Sequence, residues 1–113
     1  MIKGVGTDII EIDRIRDAVE RSGQPFLNKI FTETEQSYCS RFNDPYPHYA
    51  ARFAAKEAVV KALGTGLRNG LEWTDIEIRS DELGKPSAHV NGETLQVSLS
   101  HCRTHATAVA IYE

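Results

Sequence analysis

Apolar residues recur at helical spacing in the first half of the chain and alternate with polar residues in the second half. Residues 2–9 alternate loosely and contain two glycines, which predicts a short strand with close backbone contacts. Over residues 11–21, Ile12, Ile15 and Val19 share one face of a helical wheel whose other faces are mostly charged. The chain is therefore expected to begin with a strand followed by an amphipathic helix.

Two further helices are predicted before the spacing of apolar residues changes from helical to alternating. A capping box, Thr32-Glu-Thr-Glu35, begins the first of them, which should run to about Phe42. Two prolines within residues 43–47 mark a loop. An alanine-rich helix then covers residues 48–63 and ends at Gly64-Thr-Gly66. This long helix is the expected centre of the fold.

Alternation with a period of two marks the strands of the second half. Trp73, Ile76 and Ile78 begin a strand region, and the alternation is carried by Leu95, Val97 and Leu99 and again by Thr107, Val109 and Ile111. Residues 83–86 (Leu-Gly-Lys-Pro) form a turn, and the polar break over residues 100–105 folds the last two strands into a hairpin. Helices first and strands later, without regular β-α-β alternation, predict an α+β fold with an antiparallel sheet.

Length, charge and cysteine content narrow the function classes. The 113 residues are expected to form one domain, 1–113, with a core that is not deep, so a large substrate should bind in a shallow cleft or between subunits. A net charge of −3 gives no support for general nucleic-acid binding. No apolar run is long enough to span a bilayer, and the N-terminus lacks the features of a signal peptide. Cys39 and Cys102 form no CxxC pattern and are expected as free thiols in a reducing cytoplasm.

The long helix carries the first candidate chemistry. Glu57 and Lys61 are four residues apart and so share one face of the helix. The simplest interpretation is an exposed salt bridge that contributes a few tenths of a kcal/mol. Arg52 and Lys56 have the same spacing but carry like charges, and a bound anion would relieve their repulsion. The alternative interpretation is therefore a helix face that binds phosphate and metal.

Two further segments supply polar groups. Asp8 ends the first predicted strand, where an Asp is usually a helix cap or a solvated turn residue. It also suits Mg²⁺, which is commonly held by one or two carboxylates together with phosphate oxygens and water. Asp8 and Glu57 would suffice if the fold brings them together. Ser98 and Ser100 fall on the face of a later strand opposite Val97 and Leu99. His101 lies where that strand enters its turn, either as a surface residue or as a hydrogen-bond donor to a phosphate.

Five segments follow one another in a specific order along the chain. They are Gly6-Thr-Asp8-Ile-Ile-Glu-Ile, Arg52-Phe-Ala-Ala-Lys-Glu57-Ala-Val-Val-Lys61-Ala-Leu-Gly-Thr-Gly66, Trp73-Thr-Asp-Ile-Glu-Ile78, Gly84-Lys-Pro86 and Ser98-Leu-Ser-His101. Together they resemble the holo-[acyl-carrier-protein] synthases, the small members of the 4′-phosphopantetheinyl transferases. The resemblance spans essentially the whole chain and implies the fold of that family. It also favours the functional interpretation of Asp8, Glu57 and Lys61 over the simpler ones.

The resemblance implies transfer of 4′-phosphopantetheine from coenzyme A to a serine of apo-acyl carrier protein, with adenosine 3′,5′-bisphosphate as the other product. It implies Mg²⁺ held by Asp8 and Glu57 on the pyrophosphate of coenzyme A, with Glu57 and Lys61 as catalytic residues. Lys61 would neutralise or protonate the leaving phosphate. The serine proton would go to Glu57 or to a metal-bound water. The residues implied in coenzyme A binding are Arg52, Lys56, Lys61, Gly64, Thr65, Ser100 and His101.

The resemblance also bears on the metal shell and on partners. The larger transferases carry a second acidic residue two positions after the first aspartate, where this chain has Ile10, so more water is expected on the metal. Arg14 and Arg21 lie on one side of the first helix, which by itself is as readily a solvated helix face. The resemblance implies that these two arginines steer an acidic carrier protein. Family members of this size are typically homotrimers, so the resemblance implies a homotrimer with the active site in the cleft between subunits. No nucleic acid or membrane partner is expected.

Two functions from other classes compete with the enzyme. A non-catalytic module would bind coenzyme A or a carrier protein without turnover, but it has no chemical need for Asp8, Glu57 and Lys61 together. A nucleic-acid-binding domain is disfavoured by the acidic balance and by the absence of a basic and aromatic surface pattern.

Overall fold

The computed structural model describes residues 1–64 and 70–113 of the chain. Its strands are β1 (Gly4–Glu11), β2 (Ile76–Ser80), β3 (Pro86–Val90), β4 (Glu93–His101) and β5 (His105–Tyr112). Its helices are α1 (Ile12–Ser22), α2 (Gln24–Ile30), α3 (Glu33–Cys39) and α4 (Tyr46–Leu63), with a 3₁₀ turn at Trp73–Asp75. The strands form one antiparallel sheet in the order β1-β5-β4-β3-β2, across which α4 packs. The predicted α+β fold with an antiparallel sheet and a long central helix is confirmed.

Local signals explain where several helices begin and end. Thr32 and Glu35 make the predicted capping box, in which each side chain accepts a hydrogen bond from the other residue's backbone N–H. At the end of α4, Gly64 adopts a left-handed conformation with φ of 79° and donates its N–H to the carbonyl of Val60. Helix α4 begins at Tyr46, two residues before the approximate predicted start, because Pro47 lies in the first turn of the helix, where a missing N–H is tolerated.

The short helix α2 and the end of α3 also differ from expectation. Residues 24–30 have too few turns to show a helical period, and α2 begins with a proline in its first turn. Helix α3 ends at Cys39 rather than near Phe42. Together these helices surround a second hydrophobic cluster, which includes Ile15, Phe31 and Tyr49. The main cluster lies between α4 and the sheet. Within the described ranges, no helix is both long and apolar enough to cross a membrane.

The first strand lies directly against the backbone of α4. A Cβ atom added at Gly6 would lie 1.9 Å from the carbonyl oxygen of Ala58, and one added at Gly4 would lie 2.0 Å from that of Ala62. No larger residue fits at either glycine without moving the strand or the helix. Because side chains alternate along a strand, Asp8 faces the same side as the two glycines. The glycine contact therefore brings Asp8 to α4.

We expect Gly6→Ala to destabilise the protein by about 1–3 kcal/mol, because the new methyl group meets the backbone of α4 and not a side chain that can turn away. The measurement is urea denaturation followed by circular dichroism. Thr7→Ala is the control, since Thr7 is exposed on the other face of the same strand, and its effect should stay within about 0.5 kcal/mol. Equal stability of the two variants would contradict the close contact.

Candidate active site

The fold brings together the three residues proposed to carry the chemistry. Lys61 reaches from α4 to the edge of β1, where its Nζ lies 3.3 Å from Oδ1 of Asp8 and donates to the carbonyl of Thr7 at 2.9 Å. Glu57 lies one turn before Lys61 on the same face of α4. The three side chains thus meet where α4 crosses the first strand.

The surroundings of Glu57 change the ionisation of its carboxyl group. Glu57 is half-buried, and burial is the main reason that its pKa is raised. The nearby Asp8 carboxylate raises the pKa of Glu57 further, whereas the Lys61 ammonium lowers it. A raised pKa suits a group that accepts a proton near neutral pH. The repulsion between the carboxylates is also what a bound cation would relieve.

The donor set fits a lightly coordinated hard cation. Among residues 1–64 and 70–113, no group of three or more His, Cys, Asp and Glu side chains is arranged to hold a metal. Asp8 and Glu57 are therefore the two carboxylates that the described chain offers at this point. Two carboxylates, completed by water and substrate oxygens, match the preference of Mg²⁺, while a structural zinc site would need four protein ligands.

A shallow cavity of about 520 Å³ opens beside Asp8 and Lys61 on the outer face of the sheet. Ser100 lines this cavity, so the structure brings Ser100 close to two of the proposed site residues. His101 points to the opposite face of β4, because consecutive strand residues alternate. Its ring packs edge-on against His48, with 5.5 Å between the centroids. His101 lines an adjoining cavity of about 370 Å³ that also includes Ser100.

Arg52 lies on the other side of α4 and at the other edge of the sheet. It is nine residues from Lys61, and at about 100° per residue this places the two side chains on opposite sides of the helix. The guanidinium stacks 3.7 Å above the ring centroid of Tyr38 and donates to Oγ of Ser80 at 3.0 Å. Strands β1 and β2 are opposite edges, separated by roughly 19 Å of sheet. One chain does not bring Arg52 to Asp8.

The surroundings of Arg52 nevertheless suit an anion. Only 5% of Arg52 is exposed, and its buried Nε has no hydrogen-bond partner in the described part of the chain. The side chain lines a cavity of about 280 Å³ together with Arg41 and Ser37. Two guanidinium groups and hydroxyls around an unpaired N–H are the groups that commonly bind a phosphate.

The structure contradicts the expected role of Lys56 in coenzyme A binding. Lys56 is fully buried, and its Nζ lies 2.7 Å from Oε1 of Glu35, which is fully buried as well. Helical spacing alone does not distinguish Lys56 from the partly exposed cations on α4. The motif around Glu35 predicted only its part in the capping box, so the ion pair could not be recognised from the sequence.

The remaining predicted residues within the described ranges lie at the end of α4 or on the exposed face of α1. Gly64 is exposed at the end of α4, while Thr65 and Gly66 lie outside the described residues. Arg14 and Arg21 are both exposed on α1 and share one side of that helix. Their neighbour Arg16 instead pairs with Asp13 and Asp44.

The chain matches the family model of the 4′-phosphopantetheinyl transferase superfamily over residues 4–111. The chain belongs to this superfamily. A holo-[acyl-carrier-protein] synthase of Chlamydia muridarum is 53% identical to it over 117 residues, which cover 97% of this chain and 94% of that protein. The family resemblance noted in the sequence motifs is thereby confirmed.

Solved structures of the family share the fold. Holo-[acyl-carrier-protein] synthase from Neisseria meningitidis has a TM-score of 0.90 at 33% identity, covering 100% of this chain and 99% of that chain. The synthase from Bacillus anthracis, solved in complex with CoA (3′,5′-ADP), has a TM-score of 0.87 at 37% identity, covering 98% and 96%. The superfamily fold therefore extends over all elements of this chain.

The electrostatic coupling at the site gives a prediction with two opposite signs. Asp8→Asn should lower the pKa of Glu57, because it removes the neighbouring negative charge. Lys61→Met should raise the pKa of Glu57, because it removes the positive charge. Carboxyl ¹³C NMR titration of Glu57 measures both shifts. Equal pKa values in the two variants would show that the three side chains do not meet.

Proposed function

We propose that this chain transfers the 4′-phosphopantetheine group of coenzyme A to a serine of apo-acyl carrier protein, giving adenosine 3′,5′-bisphosphate as the second product. The observation that carries the proposal is the meeting of Asp8, Glu57 and Lys61 at one edge of the sheet. Relatives over nearly the whole chain are named holo-[acyl-carrier-protein] synthases. Phosphoryl transfer depends mainly on positioning and charge neutralisation, which these three side chains can supply.

Each side chain has a distinct task in the proposed reaction. Asp8 and Glu57 would hold Mg²⁺, which supplies positive charge to the pyrophosphate of coenzyme A. The serine oxygen forms a bond to the phosphorus of the pantetheine arm, and the bond from that phosphorus to the bridging oxygen breaks. Glu57 is the candidate acceptor of the serine proton. Lys61 places its ammonium where the leaving phosphate gains charge.

The separated phosphate-binding groups support an assembly. Arg52 and Lys61 lie at opposite edges of the sheet. A ligand bound at Lys61 would therefore be contacted more readily by the Arg52 of a second copy of the chain than by the Arg52 of its own chain. On the outer face of β1, Val5 is 57% exposed and Ile9 is 64% exposed, although both are apolar. A second copy covering this face would bury them. We therefore propose a homotrimer in which coenzyme A binds in a cleft between subunits, in contact with Ser100 and His101.

Helix α1 is the proposed docking element for the carrier protein. It begins four residues after Asp8, so a partner bound along α1 would have its serine near the site. Arg14 and Arg21 are exposed on one side of α1, and acyl carrier proteins are strongly acidic. Attraction between them should favour rapid encounter and weaken as salt increases. The free thiols of Cys39 and Cys102 are compatible with a proposed cytoplasmic location.

The experiment that tests the function is mass spectrometry of apo-acyl carrier protein after incubation with this chain, coenzyme A and Mg²⁺. The expected result is the mass gain of one phosphopantetheine group. Asp8→Asn and Glu57→Gln should each lower the rate by at least about 100-fold, since each removes a charge that the transfer step needs. Chelation of the metal with EDTA should stop the reaction, and added Mg²⁺ should restore it.

Glu82→Gln is the matched control, since Glu82 is an exposed carboxylate in the turn between β2 and β3. It should transfer at the wild-type rate. Binding of coenzyme A without any mass gain on a competent carrier protein would favour the non-catalytic module instead. Full activity of Asp8→Asn would remove the proposed metal site while leaving the transferase itself in place.

A further inference from the structure

A buried ion pair lies on the side of α4 that faces α3 and β2, away from Asp8 and Lys61. Glu35 on α3 and Lys56 on α4 are both fully buried, and Lys56 Nζ lies 2.7 Å from Oε1 of Glu35. Neither side chain lines the cavity beside Asp8 and Lys61. Neither can touch a substrate, because no part of either residue reaches the surface. Any contribution of this pair to the reaction must therefore act through neighbouring residues.

Every polar group of the pair is used. Besides Glu35, Lys56 Nζ donates to the carbonyl of Ile30 at 2.7 Å and to that of Trp73 at 3.0 Å. The Glu35 carboxylate accepts from the backbone N–H of Thr32 at 2.8 Å and from that of Ile78 at 2.7 Å. Helices α2, α3 and α4, strand β2 and the 3₁₀ turn thus converge on two side chains. Such a fully satisfied polar network fixes geometry strongly.

The pair restricts rotation of α4 about its axis. The ammonium is held by oxygens from three separate segments, so α4 cannot turn without breaking these hydrogen bonds. Glu57 is the next residue and projects about 100° around the helix from Lys56. Fixing the direction of Lys56 therefore fixes the direction of Glu57. The glycines of β1 set how closely the strand approaches α4 at Ala58 and Ala62, and the ion pair holds the same helix from the side of α3.

The same pair fixes where the chain returns after α4. The helix ends at Leu63, and the carbonyl of Trp73 is bonded to Lys56. One side chain thereby sets the orientation of the helix and anchors the far end of the connection that leaves it. Stability alone would not require this arrangement, because well-packed apolar residues often replace a buried ion pair without loss of stability.

We infer that Glu35 and Lys56 are positioning residues, which hold Glu57 in the orientation needed to bind the metal together with Asp8. This inference rests on the proposed function. It predicts that breaking the pair weakens metal binding and slows the transfer step, while docking of the carrier protein on α1 is unaffected.

The test compares Lys56→Met and Glu35→Gln with a control that loses stability elsewhere. Val90→Ala removes buried apolar volume in β3, at a residue that makes no contact with the ion pair's hydrogen bonds. Thermal denaturation first identifies a temperature at which all variants are folded. Mn²⁺ is then titrated into each variant with coenzyme A present, and free Mn²⁺ is measured by electron paramagnetic resonance. Steady-state kinetics give kcat and the KM for apo-acyl carrier protein.

Both pair variants should bind Mn²⁺ about 10-fold more weakly and show a lower kcat with an unchanged KM for the carrier protein. Val90→Ala should match wild type in all three quantities. Wild-type Mn²⁺ affinity and kcat in folded Lys56→Met or Glu35→Gln would overturn the inference, and Glu35→Gln decides the matter if Lys56→Met does not fold. A wild-type protein that neither binds Mn²⁺ nor transfers phosphopantetheine would refute the proposed function instead.

Discussion

The contact of β1 with α4 determines the geometry of the site. Gly4 and Gly6 allow two backbones to touch, since any Cβ at either position would overlap a helix carbonyl. Asp8 continues the same face of the strand and so reaches the helix beside Glu57 and Lys61. The alanines opposite the glycines, Ala58 and Ala62, directly follow Glu57 and Lys61 along α4. Small residues thus set the distance at which the charged residues act.

Helix α4 serves a different function on each of its sides. Toward β1 it presents Glu57 and Lys61, toward α3 it buries Lys56 against Glu35, and near β2 it carries Arg52. The buried pair and the glycine contact hold the helix from two directions. Because the Arg52 and Lys61 sides of α4 point apart, a coenzyme A site that used both side chains would be completed more readily by a second copy of the chain, as in the proposed homotrimer.

The sequence predicted those helices and strands that have strong local signals. It also predicted the site residues that belong to the ordered motifs. The Thr32 cap, the Gly64 helix end and the C-terminal hairpin all form as their local chemistry indicates. The meeting of Asp8, Glu57 and Lys61 was predicted because their motifs resemble a family. The burial of Lys56 was not, since its partner Glu35 lies 21 residues away and no spacing rule relates them. Tertiary partners of this kind follow only from how the helices pack.

The most direct test of the account is the position of the metal in crystals grown with coenzyme A and Mn²⁺, located by its anomalous scattering. A single peak is expected at the site, about 2.1 Å from one carboxylate oxygen of Asp8 and one of Glu57, with the remaining ligands from water and the pyrophosphate. A peak bound to only one of these carboxylates, or coenzyme A bound with no metal between them, would contradict it.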